Sequence, residues 1–137
     1  MPRYMLDTDI SSYLMNGSHA GIDRRMKKLS WDEVCISAIT KCELLYGVEV
    51  SPRREKQALS VAQYLRYMPA LDFPSEAGHE YALIRAELKR LGKLIGGNDL
   101  LIAAHARHLG LILVTNNVRE FSRVAGLKIE NWSEVKP

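Results

Sequence analysis

Apolar positions follow two rhythms along this chain. Short, nearly unbroken apolar runs alternate with longer stretches whose apolar side chains recur three and four residues apart. The first rhythm predicts strands over residues 3–7, 33–37, 70–73, 111–117 and 127–132. The second predicts helices over Thr8–Met15, 20–30, 38–50, 52–68, 74–92 and 99–110. Punctuation supports these limits: "NGS" at 16–18 ends the first helix, Ser37 caps the third, Pro52 and Pro74 suit first turns, Gly92 is a stop, and Asn98 can cap the last. Strands alternating with helices predict an α/β fold, with a parallel sheet covered on both faces and right-handed crossovers. In such sheets functional groups gather beyond the carboxyl ends of the strands, where chain order reverses. Asp7 ends the first strand and is therefore expected there.

The chain has 137 residues, of which 47% are hydrophobic, enough for the core of one domain spanning 1–137. It shows no repeat, low-complexity tract or linker. A formal charge of +3, from 19 Lys and Arg against 16 Asp and Glu, is compatible with a polyanionic partner. Cys35 and Cys42 fall in a predicted strand and the following helix, and read as reduced apolar fillers rather than a bridge. That usage favours the cytoplasm. No uncharged stretch is long enough to cross a bilayer, and the start carries no leader-like apolar region, so a soluble protein without a membrane partner is expected.

Carboxylates recur at element ends or interrupt apolar surroundings. Asp7 follows a strand, Glu43 sits in "CELLYG", and Asp99 opens "NDLLIAAHA"; Asn117, after "LILV", can add an amide oxygen at the same rim. Oxygen donors converging from separate elements would suit a hard cation such as Mg²⁺ or Mn²⁺. Such an ion polarises a phosphodiester and activates a water for in-line attack. Each acid also has a structural role open to it. Asp7 or Asp9 could cap the first helix, Asp9 being the better candidate, and Asp99 could complement the positive end of its helix. Glu43 has Gly47 four residues on, where an ion-pair partner would normally stand.

Basic residues cluster at Arg24, Arg25, Lys27 and Lys28, at Arg53, Arg54 and Lys56, and at Lys89, Arg90 and Lys93. Such runs are commonly solvated helix faces, so Arg119 and Arg123, close after Asn117, are the better candidates for phosphate contact. His105 and His108 lack a Cys or third His to complete a zinc set. Tyr64, Tyr67 and Tyr81 recur at helical spacing and read as core or subunit contacts.

Taken together, "MLDTDI", "ISAITKCELLYGVE" and "IGGNDLLIAAHARHLGLILVTNNVREFSRVAGLKIENW" closely resemble the VapC-type toxins of the PIN-domain ribonuclease family. The resemblance runs from the first strand to Trp132 with its motifs in order. It implies a three-layer α/β/α fold with a central, mostly parallel sheet, and Mg²⁺- or Mn²⁺-dependent endonuclease action on RNA. Carried over by residue, it implies metal ligands at Asp7, Glu43 and Asp99, with Asn117 at a fourth catalytic position that is often Asp. Asp9 stands where many relatives carry Asn and is not a required ligand. The stretch "VTNNxREFxRVxGLxxENW" is closest to a subgroup similar to enzymes that cut initiator tRNA in its anticodon stem-loop. The resemblance also implies a homodimer held inactive by a small VapB-like antitoxin, with operator DNA bound only through that antitoxin.

Two other readings stay open on the residues alone. "DTDIS" after a first strand superficially matches the nucleophile loop of haloacid-dehalogenase-like phosphatases, with Asp7 as nucleophile and Asp9 as acid and base. An Asp9→Asn variant separates the two, since the phosphatase dies and the nuclease survives. A non-catalytic interaction module would use the acids only as caps.

Overall fold

The computed structural model describes residues 2–133; Met1 and residues 134–137, the two ends of the predicted domain, lie outside the described residues. Among the described residues five strands are present: β1 (Tyr4–Leu6), β2 (Val34–Ser37), β3 (Ala70–Leu71), β4 (Ile112–Val114) and β5 (Lys128–Glu130). All pair in parallel, in the order β3-β2-β1-β4-β5. The helices are α1 (Thr8–Asn16), α2 (Ala20–Lys27), α3 (Ala38–Val50), α4 (Arg54–Tyr67), α5 (Ala77–Arg90), α6 (Gly97–Leu109) and α7 (Val118–Phe121).

The strands are apolar on both sides because both sides are covered. Tyr4, Leu6, Val34, Ile36 and Val114 meet Ile10, Ile22, Leu44, Val61 and Tyr64, so α1 to α4 form one outer layer. Met5, Cys35 and Leu113 face the other way, onto Ile84, Leu88, Ile102 and Phe121 of α5, α6 and α7. The result is the expected three-layer α/β/α arrangement. Helix α6 is apolar on every side from Leu100 to Ala104 and buries Leu100, Ile102, Ala103, Ala104, His105 and Ala106. No helix among the described residues is long and apolar enough to cross a membrane.

Several boundaries differ from expectation for local reasons. Strands are shorter than their apolar runs, since "TNN" after Val114 turns away into α7. One turn of helix is too short to leave a periodic signal, and α7 went unpredicted. Helix α6 starts at Gly97 with Gly96 as its cap residue, so Asn98 lies inside the first turn and does not cap. Pro52 and Pro74 stand in the turns before α4 and α5 rather than in their first turns. Gly17 and Gly92 end α1 and α5 with φ of 62° and 68°, a left-handed conformation that a Cβ would strain. Cys35 is a buried filler as expected, but Cys42 is exposed on α3 and fills nothing; both are free thiols.

Chain order reverses between β1 and β4. Everything from α1 to β3 builds outward on one side of β1, and β4 and β5 lie on the other. The Asp7 amide donates to the Val114 carbonyl at 3.0 Å, joining the carboxyl ends of these two strands at the switch point.

Candidate active site

Asp7 is the first residue past β1, and its backbone is extended with φ −75° and ψ 179°. Its Oδ1 accepts the Ile10 amide at 2.9 Å, so Asp7 and not Asp9 is the N-cap of α1. Asp9 lies exposed in the first turn instead. The cap hydrogen bond fixes the Asp7 carboxyl over the rim while its residue is only 5% exposed. Burial pushes its pKa from 3.8 up to about 6; hydrogen bonds from Thr115 and Ile10 pull it back, and the charges of Asp9 and Asp99 raise it further.

Asp99 reaches the same rim from the first turn of α6, the next helix leading into β4. Burial again raises its pKa from 3.8 to about 6, helped by the charges of Glu43, Glu120 and Asp9. Every charge that shifts Asp7 or Asp99 belongs to another carboxylate.

Glu43 projects from α3, whose start is fixed by Ser37: the Ser37 hydroxyl accepts the Ile39 amide at 3.1 Å. The Thr8 hydroxyl donates to Glu43 Oε1 at 2.5 Å, and Asn98 Nδ2 to Glu43 Oε2 at 3.4 Å. Glu43 thereby ties α1, α3 and the head of α6 together. The Asn117 amide donates to Thr115 Oγ1 at 2.9 Å, and Asn117 Nδ2 donates to Glu120 Oε2 at 3.1 Å. Glu120 is the acid that sequence reasoning missed. Its signal was the i, i+3 spacing from Asn117 across one unrecognised helical turn.

These oxygens come together at one end of the sheet, from the ends of β1 and β4 and from α3, α6 and α7. The donor chemistry suits a hard divalent cation, being all oxygen, with mutual repulsion and desolvation that a cation would offset. Among the described residues no three His, Cys, Asp or Glu side chains are drawn to ligating distance of one point.

The remaining candidates fall elsewhere. Arg123 is half-buried, and its Nη1 donates to the Lys93 and Leu94 carbonyls, both at 3.4 Å, while Arg119 is exposed on α7. His105 is buried, with Nδ1 2.8 Å from the Ser37 hydroxyl and Nε2 without a partner. Tyr64 is core and donates to Ser11 Oγ at 2.9 Å. Tyr67 is exposed. The phosphatase alternative needs a lysine beside Asp7, and among the described residues no cation acts on that carboxyl.

Comparison with known proteins agrees with this geometry. The PIN domain model matches residues 4–127. Ribonuclease VapC2 of Haemophilus influenzae is 45% identical over 133 residues, covering 96% of this chain and 99% of its own. The tRNA(fMet)-specific endonuclease VapC of Shigella flexneri is 41% identical, over 97% of this chain and 100% of its own. Among solved structures, DNA-bound VapBC from Salmonella typhimurium superposes with TM-score 0.90 at 39% identity, covering 96% of this chain and 99% of that one. VapBC2 from Rickettsia felis, bound to a fragment of its promoter, gives 0.87 at 37%, covering 94% and 98%. PIN-domain ribonucleases work with a divalent metal ion. With its acids at the switch point of a parallel sheet and these likenesses over almost its full length, the chain belongs to the PIN-domain family, among the VapC-type ribonucleases.

Proposed function

We propose that this ribonuclease is the toxin of a toxin–antitoxin pair and cuts initiator tRNA in its anticodon stem-loop. The observation that carries the site is the meeting of the buried Asp7 and the half-buried Asp99 at the switch point, each with its pKa raised to about 6 chiefly by burial, the charges acting on them being those of other carboxylates. Asp7, Asp99 and Glu43 would hold Mg²⁺, with Mn²⁺ as a substitute. When bound, the ion activates a water and offsets charge on the phosphate. Thr8 and Asn98 hold the Glu43 carboxylate in place, and the Asp7 cap fixes its carboxyl before substrate arrives. Asn117, steadied by Thr115 and Glu120, orients a water or the phosphate. The products are a 5′-phosphate and a 3′-hydroxyl.

The substrate reading is supported by relatives named as tRNA(fMet)-specific endonucleases in Shigella flexneri and Salmonella typhimurium. The partner reading draws on the DNA-bound VapBC structures from Rickettsia felis and Salmonella typhimurium, the former on a promoter fragment. Here the partner is a VapB-like antitoxin that covers the acidic rim, the toxin is a homodimer, and operator DNA is met through the antitoxin alone. Mapping new 5′ ends in cellular RNA after brief expression tests the whole reading. Ends in the initiator tRNA anticodon stem-loop should appear with the intact protein and vanish with Asp7→Ala; the same ends in both would reject it.

A further inference from the structure

The fold separates the three basic clusters of the sequence. Arg53, Arg54 and Lys56 stand where α3 gives way to α4, and α3 runs its 13 residues, about 20 Å, away from the carboxyl end of β2. Arg54 is paired there with Glu49 at 2.8 Å. In the second cluster Arg90 is paired with Glu87. The third cluster, on α2, borders a built groove of about 550 Å³, with Gly21, Arg24, Arg25 and Lys28 on one wall and Glu130 and Trp132 on the other.

Arg25 is engaged within that groove. Its guanidinium lies 3.0 Å from Glu130 Oε1, 4.9 Å over the Trp132 ring and 6.0 Å from the Tyr4 ring. Trp132 is buried edge-on against Tyr4 at 5.0 Å and donates its indole N–H to Glu130 at 2.9 Å. The one acid in the groove is thus taken up internally. Arg24 and Lys28 are exposed and have no acidic partner among the described residues.

Side-chain contacts and chain neighbours lead from this groove to the acidic rim. Beside Asn117, Asn116 Nδ2 donates to the Tyr13 hydroxyl at 3.0 Å. The Tyr13 ring stacks on His19 at 4.0 Å with 24° between planes, and His19 is the cap residue of α2, two residues before Gly21. On the other wall the Thr115 amide donates to the Glu130 carbonyl at 3.0 Å, one strand spacing from the Asp7–Thr115 contact.

Resting on the ribonuclease function proposed above, we infer that the groove between α2 and β5 is a second RNA-contact site. Arg24 and Lys28 take backbone phosphates of the strand beyond the scissile bond, and the Tyr13–His19 stack is the platform crossed between the two sites. Phosphate contacts of this kind position an RNA without reading its bases, and aromatic platforms accept any base.

The test is binding of bulk deacylated tRNA to the full chain carrying Asp99→Asn, by fluorescence anisotropy across a salt series. R24E/K28E should weaken binding about tenfold at low salt and reduce the slope of log K against log salt by roughly 1.5, the share of two phosphate contacts. R53E/K56E makes the same change in net charge at the remote end and should stay within about twofold. Equal losses in both pairs, or none in the first, overturn the inference. If circular dichroism shows R24E/K28E unfolded, Arg24→Gln with Lys28→Gln replaces it and must give the same ranking. Cleavage is scored separately with Asp99 intact. Failure to cut any tRNA counts against the proposed activity, whereas the ranking of the two pairs decides the groove however cleavage falls.

Discussion

At the scale of single residues, Asp7 carries two roles that substitutions can separate. Its oxygen caps α1, and its charge is buried among other acids. An Asp whose folded pKa of about 6 exceeds its ordinary 3.8 holds its proton more tightly folded than unfolded. The contribution of Asp7 to metal-free stability is therefore fullest below pH 4, declines as pH rises through 4 to 6, and carries its whole penalty above 6. Asp7→Asn keeps an oxygen for the cap and removes the charge. It should melt higher than the parent at pH 7 in EDTA, by an amount on the order of 1–2 kcal/mol or several degrees, and lose its advantage near pH 4. Asp7→Ala loses the cap as well and should fall about 1 kcal/mol below the Asn variant. Neither should cleave RNA. Equal melting of the Asn variant and the parent at pH 7 would show that burial does not burden this carboxyl.

At the scale of elements, the ends of helices decide where the acids stand. Ser37 accepts the Ile39 amide and lies 2.8 Å from His105 Nδ1, so it fixes the start of α3 and joins it to α6. Ser37→Ala should cost about 1–2 kcal/mol in a thermal melt, from a lost cap and a second stranded nitrogen on a buried histidine. Gly17→Ala, which forces a side chain into a φ of 62°, should cost about 1 kcal/mol without touching cleavage. Much of this level was legible in the sequence. "NGS" placed the end of α1, Ser37 declared its cap, and the apolar run after Asp99 announced a buried helix. What escaped was set by tertiary context or by brevity. Two acids two positions apart compete for the same cap, and Asp7 takes it where β1 ends, its amide paired with the Val114 carbonyl and its side chain with the Ile10 amide. Asn98 reads as a cap until Gly96 is seen opening the helix. Glu120 hides in a helix of four residues.

At the scale of the whole molecule, the rim draws on segments that are far apart in sequence, from Asp7 to Glu120. A divalent ion shared by Asp7, Glu43 and Asp99 would cross-link α1, α3 and α6, and binding to the folded state alone stabilises by mass action. Saturating Mn²⁺ at pH 7 should raise the melting temperature by several degrees, about 3 kcal/mol at a hundredfold excess over Kd, and should do little for Asp99→Asn. An equal rise in both proteins would place the ion elsewhere. The two cysteines add a practical opportunity. The Cys35 thiol is buried and pushed up to about 12, which leaves it inert, whereas Cys42 is exposed immediately before Glu43 on α3. A maleimide dye added to the unaltered chain should attach at that one thiol, giving a fluorescent reporter one residue from a proposed ligand without any engineering of the sequence.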